Sequence, residues 1–273
     1  MNGAESLIRT LTQGGVDICF MNPGTSEMHF VAALDQVPEM RGVPCLFEGV
    51  ASGAADGYAR MAGRPASTLF HLGPGLSNAL ANMHNAGRAR VPMVNIVGEH
   101  ATFHRQYDAP LTSDIEAIAK PFSRWLRTTA SASDVGQDCA EAIAAARTAP
   151  GRIATLILPA DAAWSEGGHV AAVPASPPAP AVEQSRVDDA AIALRNGKRT
   201  AIILGAHLTE GVTLLTAARI SAVTNAKLLA PFAFTRISRG AGLPIVTRIP
   251  YVTDDALEML REFDQLILLG AAP

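Results

Sequence analysis

The sequence predicts an α/β fold: a parallel sheet flanked by helices over residues 1–168, followed by a second, incomplete α/β domain over 187–273. Three observations carry this. Short apolar runs alternate with Ala-rich stretches of helical spacing, the rhythm of strands joined by crossover helices. Hydrophobic residues make up 48% of the 273 residues and charged residues only 17%, below the usual share of about 25%, so there is enough apolar surface for a large aliphatic core. Residues 169–186 include Pro174, Pro177, Pro178 and Pro180, which fix backbone angles and remove donors, and this stretch reads as a linker.

In chain order, the apolar runs predict strands at 17–21, 44–47, 67–71, 93–98, 123–127 and 153–158. Helices fit between them at 3–13, 27–36, 51–61, 76–90 and 134–148. The last of these has Ser133 or Asp134 to cap it, and Ala140, Ile143, Ala144 and Arg147 share one of its faces. Beyond the linker a helix is expected at 187–195, a strand at 201–204, a helix at 210–222 and strands at 227–229 and 265–269. A sequence that stops straight after an apolar strand is expected of the front portion of a longer polypeptide, since sheet edges of this kind need cover. No fixed period recurs, which excludes a solenoid.

Charge narrows the partners. With 22 Lys plus Arg against 25 Asp plus Glu the net charge is -3, and neither sign gathers into a run, so nucleic acid and membrane are disfavoured. The 3 cysteines, Cys45 and Cys139 among them, form no CxxC pair, and the opening MNGAESLIRTL has no apolar signal core. Both features point to a reducing, cytoplasmic setting.

Three segments could carry chemistry. In FMNPGTSEMHF a strand runs into Pro23, Gly24 and Thr25 before a helix whose free amides could bind an acceptor, although Thr25 or Ser26 as a plain N-cap explains the pattern equally. Glu48 follows the apolar run at 44–47, and a carboxylate at the end of a buried strand is costly without a partner that shares a proton with it; the alternative is a helix-capping role. The next helix, ASGAADGYARMAG, has a thin face at Ala51, Gly53, Ala54 and Ala55 suited to close approach by another backbone, a subunit or a flat ligand, and an i,i+4 pair in Asp56 and Arg60.

The third segment, FHLGPGLSN, places His71 at the carboxyl end of a strand and Gly73, Pro74 and Gly75 in a turn that lets the main chain pass close to something bound, with Asn78 in the first helical turn. It lacks the GxGxxG spacing of dinucleotide sites. His100 and His104 have metal-ligand spacing, but Gly98 and Pro110 nearby favour a loop and disfavour zinc. GxSxG and P-loop motifs are absent, which removes serine-hydrolase and P-loop kinase readings.

Taken in order, NPGTSE, FEGVASGAADGYAR, HLGPGLSNAL and VPMVNIVGE make residues 1–161 resemble the pyrimidine-binding domain of thiamin-diphosphate enzymes, in the acetolactate synthase large-subunit and benzoylformate decarboxylase group. Residues from 187 on resemble the start of that family's central domain. The resemblance implies thiamin diphosphate as cofactor, with Glu48 hydrogen-bonding N1′ of its aminopyrimidine so that the pyrimidine takes the proton from thiazolium C2. It implies cofactor contacts from Pro23, Gly24, Thr25, Gly73, Pro74, Gly75 and Asn78, a proton-transfer role for His71, and a substrate pocket edged by Thr25, Pro110 and Leu111.

Mg2+ ligands are expected in a diphosphate-binding domain outside these residues, so the chain alone is expected to be inactive; FAD stays open. Because such sites are built from two subunits, a homodimer or homotetramer acting on a small 2-oxo acid is implied. His71-Leu72 stands where synthases carry Thr-Ser, and the run 109–112 lacks the synthase glutamine, both as in benzoylformate decarboxylase, whereas GPG is the synthase form. The implied function is a 2-oxo-acid decarboxylase or carboligase resembling acetolactate synthase. The alternatives are a benzoylformate-decarboxylase-like enzyme and a non-catalytic α/β module.

Overall fold

The computed structural model describes residues 1–175 and 181–271. The chain divides into two compact units, Met1–Pro177 and Pro178–Pro273. Residues 176–180 of the expected linker, and 272–273 of the expected second domain, lie outside the described residues.

The first unit opens with α1 (Gly3–Gln13), β1 (Ile18–Asn22), α2 (Met28–Leu34), β2 (Arg41–Pro44), α3 (Glu48–Ala62) and β3 (Ala66–Phe70). It continues through α4 (Leu72–Arg88), β4 (Met93–Glu99), α5 (Ile115–Ala119), β5 (Trp125–Thr128), α6 (Val135–Arg147), β6 (Ile153–Pro159) and α7 (Ala160–Trp164). The strands form one sheet in the order β2-β1-β3-β4-β6-β5, every pair parallel. Successive residues of a strand point to opposite faces, so Leu69, Ile96 and Leu156 join one core with Leu7, Phe30 and Ile143, while Phe70, Val97 and Ile157 join the other with Leu76 and Met83. A sheet buried on both faces explains why its central strands carry apolar residues toward both, while the buried Ser67, Thr68, Asn95 and Thr155 among them are hydrogen-bonded. The strand order reverses between β1 and β3, which opens a crevice at their carboxyl ends.

The structure corrects several expectations of the sequence. The second strand is Arg41–Pro44 instead of 44–47: it is a half-exposed edge strand without an apolar run, and Pro44, lacking an N–H, closes its ladder opposite Met21. Glu48 therefore begins α3 and does not end a buried strand. Helix α4 starts at Leu72 and takes in Gly73, Pro74 and Gly75, because the first-turn amides of a helix need no internal partner and proline costs nothing there. Asn78 consequently falls in the second turn. The thin face of α3 is filled from within the chain, where Ala51 and Ala55 share a core with Leu72, Leu76, Ala79 and Met83 of α4.

Asp134 occupies the N-cap of α6, but its carboxylate accepts from Ser131 Oγ at 2.5 Å in place of the helix amides. Residues 169–175, read as linker, are strapped onto the first unit: the Ala171 N–H donates to Thr10 Oγ1 at 3.3 Å and Val173 packs on the core beside α1. Helices α5 and α7 escaped the sequence reading because five residues are too few to show a period.

The second unit holds α8 (Gln184–Arg195), β7 (Thr200–Leu204), α9 (Gly211–Thr224), β8 (Lys227–Ala230), β9 (Thr247–Arg248), α10 (Thr253–Leu260) and β10 (Gln265–Leu269). Its sheet runs β10-β7-β8-β9, again parallel, over a core of Ile202, Leu204, Leu214 and Leu228. Strand β9 and helix α10 were not foreseen, the first because two residues make no pattern. Among the described residues no helix is long and apolar enough to cross a membrane.

Phe70 is fully buried between β3 and α4, so Phe70→Ala should cost about 3–5 kcal/mol. Val50→Ala, on the exposed face of α3, should stay within about 0.5 kcal/mol. Chemical denaturation of the two variants checks this, and equal losses would contradict the packing described.

Candidate active site

The carboxyl ends of β1, β2 and β3 deliver three loops to the crevice where the strand order reverses. After β1 the chain passes Pro23 and Gly24 into a short 3-10 turn, Thr25–Glu27. After β2 it is clamped to the end of β1: the Cys45 N–H donates to the Met21 carbonyl at 2.8 Å, and Asn22 Nδ2 donates to the Cys45 carbonyl at 2.7 Å. This clamp fixes the start of α3 and with it Glu48. After β3, His71 forms the N-cap of α4 and Leu72 turns the chain with a left-handed φ of 54°.

Glu48 is buried at 8% exposure at the amino end of α3, where the free amides and helix dipole favour a carboxylate. Its Oε2 accepts from Asn78 Nδ2 at 2.9 Å, so α4 holds it from the side. Among the described residues Oε1 has no hydrogen-bond donor. Gly75 lies against that oxygen, which a Cβ there would approach to 3.0 Å. Gly73 faces protein as well, since a Cβ there would meet Ser113 at 2.4 Å. Both glycines make room for side chains of the chain itself, and Ser113 brings the exposed segment carrying Pro110 and Leu111 against the start of α4.

The sequence reading passed over Glu27, the most enclosed polar group of the site. It is 3% exposed, and its Oε2 accepts from the Gly24 N–H at 2.7 Å and lies 2.7 Å from His71 Nδ1. The N-cap role expected of Thr25 or Ser26 is filled by Gly24, whose amide Glu27 reaches back to bond. Glu27 Oε1 is buried without a partner and rests where a Cβ on Gly98 would come within 1.6 Å. Burial pushes the Glu27 carboxyl above its ordinary value, against the opposing pull of the Gly24 amide and His71. The signal in the sequence was the G-x-x-E spacing of Gly24 and Glu27, that of a capping box. Thr25 is exposed beside this pair and Pro23 half-buried.

His100 and His104 follow β4 in a turn, with ring centroids 5.6 Å apart, and not on a helix. Among the described residues no group of three or more His, Cys, Asp or Glu could hold a metal ion. Cys19 and Cys139 are buried, and burial pushes the Cys19 thiol up to about 12, so neither is a nucleophile.

The fold and this crevice define a doubly wound unit that presents carboxylates and a histidine at its switch point. Residues 1–118 match the family described as thiamine pyrophosphate enzyme, N-terminal TPP binding domain. Over 272 residues the chain is 57% identical to a Mycobacterium tuberculosis protein provisionally named acetolactate synthase large subunit IlvX, covering 99% of this chain and 52% of that one. It is 31% identical over 152 residues to benzoylformate decarboxylase of Pseudomonas aeruginosa, which covers 55% of this chain and 28% of the other. The solved 4-hydroxybenzoylformate decarboxylase of Rhodococcus jostii RHA1 shares the fold, with a TM-score of 0.85 at 20% identity over 99% of this chain and 52% of that chain. Residues 1–118 are thus similar to the N-terminal domain of thiamine pyrophosphate enzymes, as the motifs implied. The chain spans about half the length of that Mycobacterium tuberculosis protein.

Glu27 gives the crevice a pH signature. A carboxyl raised by burial contributes stability that is full below its unfolded value, near 4.5, and is lost as pH rises through its folded value. Glu27→Gln removes that loss, so the wild type should fall behind the variant in melting temperature as pH rises from about 4.5. A pH-independent difference between the two melting curves would remove Glu27 from this role.

Proposed function

We propose that the chain forms the pyrimidine-binding part of a thiamin-diphosphate-dependent 2-oxo-acid decarboxylase or carboligase of the acetolactate-synthase type. One observation carries this: Glu48 is buried, held by Asn78 through one oxygen, and offers the other to a ligand. A carboxylate with one open lone pair beside a small-residue wall fits a flat nitrogen ring that shares a proton with it. Bound there, thiamin diphosphate would supply the carbon nucleophile and electron sink that breaking the bond to a 2-oxo acid's carboxylate requires.

The residues of this chain then divide the work. Glu48 Oε1 holds a proton with the ring nitrogen of the aminopyrimidine, while Asn78 keeps the carboxylate from turning away. Pro23, Gly24 and Thr25 after β1, with Gly73, Pro74 and Gly75 at the start of α4, would contact the cofactor through their main chain, since Ser113 and Glu48 take the space above the α4 glycines. His71, held at Nδ1 by Glu27, moves a proton through Nε2 at the carbon that loses carbon dioxide. Thr25, Pro110 and Leu111 border the substrate.

Mg2+ and the diphosphate would be held by a part of the assembly beyond these residues, and FAD is assigned no residue here. Exposed Leu46 and Phe47 beside Glu48 fit a surface covered by a second copy in a homodimer or homotetramer. A cytoplasmic enzyme suits the unpaired thiols. A second reading, a benzoylformate-decarboxylase-like enzyme, is favoured by the His71–Glu27 pair, since His71 stands where the synthases carry Thr-Ser.

The 273 residues alone should bind thiamin diphosphate weakly even with magnesium in calorimetry, and tight magnesium-dependent binding would contradict the division of the site. With the diphosphate-binding half supplied in cis, as in relatives of about twice this length, Glu48→Gln should remove most 2-oxo-acid turnover while the fold persists. Turnover within about threefold of wild type, about 0.7 kcal/mol in barrier, would refute the role of Glu48.

His71→Ala in the same protein should lower decarboxylation at least about a hundredfold and flatten one limb of the pH profile, while exchange of the cofactor C2 proton continues. Unchanged turnover with a lower melting temperature would make His71 a packing residue and favour the synthase.

A further inference from the structure

The edge of the first sheet opposite the candidate active site carries a cavity of about 790 Å3, within the range of small-molecule sites. Arg88, Arg90, Arg124 and Arg152 line it, together with His84 and Phe122, and none of its lining residues is acidic. Backbone contacts fix the positions from which three of these arginines extend. The Arg152 carbonyl accepts from the Met93 N–H at 3.1 Å and the Arg124 N–H donates to the Ile153 carbonyl at 2.9 Å, which sets both residues at the amino ends of adjacent strands. Arg90 is held in a left-handed turn, φ 59°, whose carbonyl lies so close to Gly151 that a Cβ there would sit 2.2 Å from it.

In a chain of net charge -3, four guanidinium groups around one cavity without a carboxylate need an explanation. The ion pairs that arginines form among the described residues involve other arginines, so these four are not neutralised by the unit itself. Helix-dipole stabilisation accounts for Arg88 alone, at the carboxyl end of α4. Arg90, Arg124 and Arg152 lie outside helices. Guanidinium forks match phosphate oxygens two at a time, and a concave cationic surface concentrates anions. The half-buried Phe122 ring gives the same cavity an apolar wall.

We propose that this cavity binds a small molecule carrying a diphosphate, with the four arginines as its ligands. The seven residues of β4 span roughly 23 Å at about 3.3 Å each, so the two sites sit at opposite edges of the sheet. The inference does not depend on the reading of Glu48.

The test is calorimetric titration of the 273-residue chain with inorganic pyrophosphate and separately with ADP, in EDTA so that no magnesium-dependent cofactor contact contributes. Saturable binding of one equivalent is expected, weakening as salt rises and falling at least about tenfold in Arg124→Gln/Arg152→Gln. Both side chains are exposed, so the variant should keep the wild-type melting temperature. Tighter binding of ADP than pyrophosphate supports a nucleotide as the source of the diphosphate; equal binding supports a free polyphosphate. No saturable binding of either probe at millimolar concentration overturns the proposal, as does undiminished binding to the variant. Sedimentation showing that the variant loses a self-association of the wild type overturns it too, since the arginines would then face another copy of the chain.

Discussion

A parallel sheet covered on both faces by helices leaves a ligand room only at the two ends of its strands, and the organisation of the first unit follows from that constraint. Its central strands alternate Leu69 with Phe70, Ile96 with Val97 and Leu156 with Ile157 between two aliphatic cores. The carboxyl edge collects Glu27, Glu48 and His71, while the amino edge collects Arg88, Arg90, Arg124 and Arg152. The reversal of strand order between β1 and β3 then decides where on the carboxyl edge a crevice opens.

Two carboxylates share that crevice in different environments. Glu48 keeps a helix amino end and one amide donor, with an oxygen left over. Glu27 is more deeply buried, is bonded through one oxygen and carries a second, partnerless oxygen against Gly98, so burial dominates and favours its neutral form. Such a group is poorly placed to meet solvent or ligand but well placed to fix the orientation of His71 through Nδ1.

The fold was legible because its signal is periodic and long: six apolar runs spaced by helices leave few alternatives to a parallel sheet. Arg41–Pro44 was missed because an edge strand need not be apolar, and α4 was begun four residues late because glycine and proline read as a turn even where a first helical turn accepts both. His71 was singled out by its position after a strand, and Glu48 by the apolar run at 44–47, of which only Pro44 belongs to one. Glu27 was not, because its importance lies in contacts with Gly24, His71 and Gly98, residues up to 71 positions away along the chain, and only the fold brings these together.

Leu72 shows how the core reaches into the site. A left-handed φ of 54° costs a non-glycine residue about 1–2 kcal/mol, and glycine would avoid that cost. The leucine side chain, 1% exposed among Phe70, Leu76 and Ile115, gains about 1.5–3 kcal/mol from burial, enough to offset the strain. Glycine would turn the chain as readily but would leave that part of the core unfilled. With the side chain locked in the core, the backbone on either side is fixed. The His71 carbonyl accepts from the Gly75 N–H at 2.9 Å, and the ring is left pointing at Glu27. The histidine is therefore oriented from two sides, by a buried carboxyl group and by a strained turn that hydrophobic packing keeps in place.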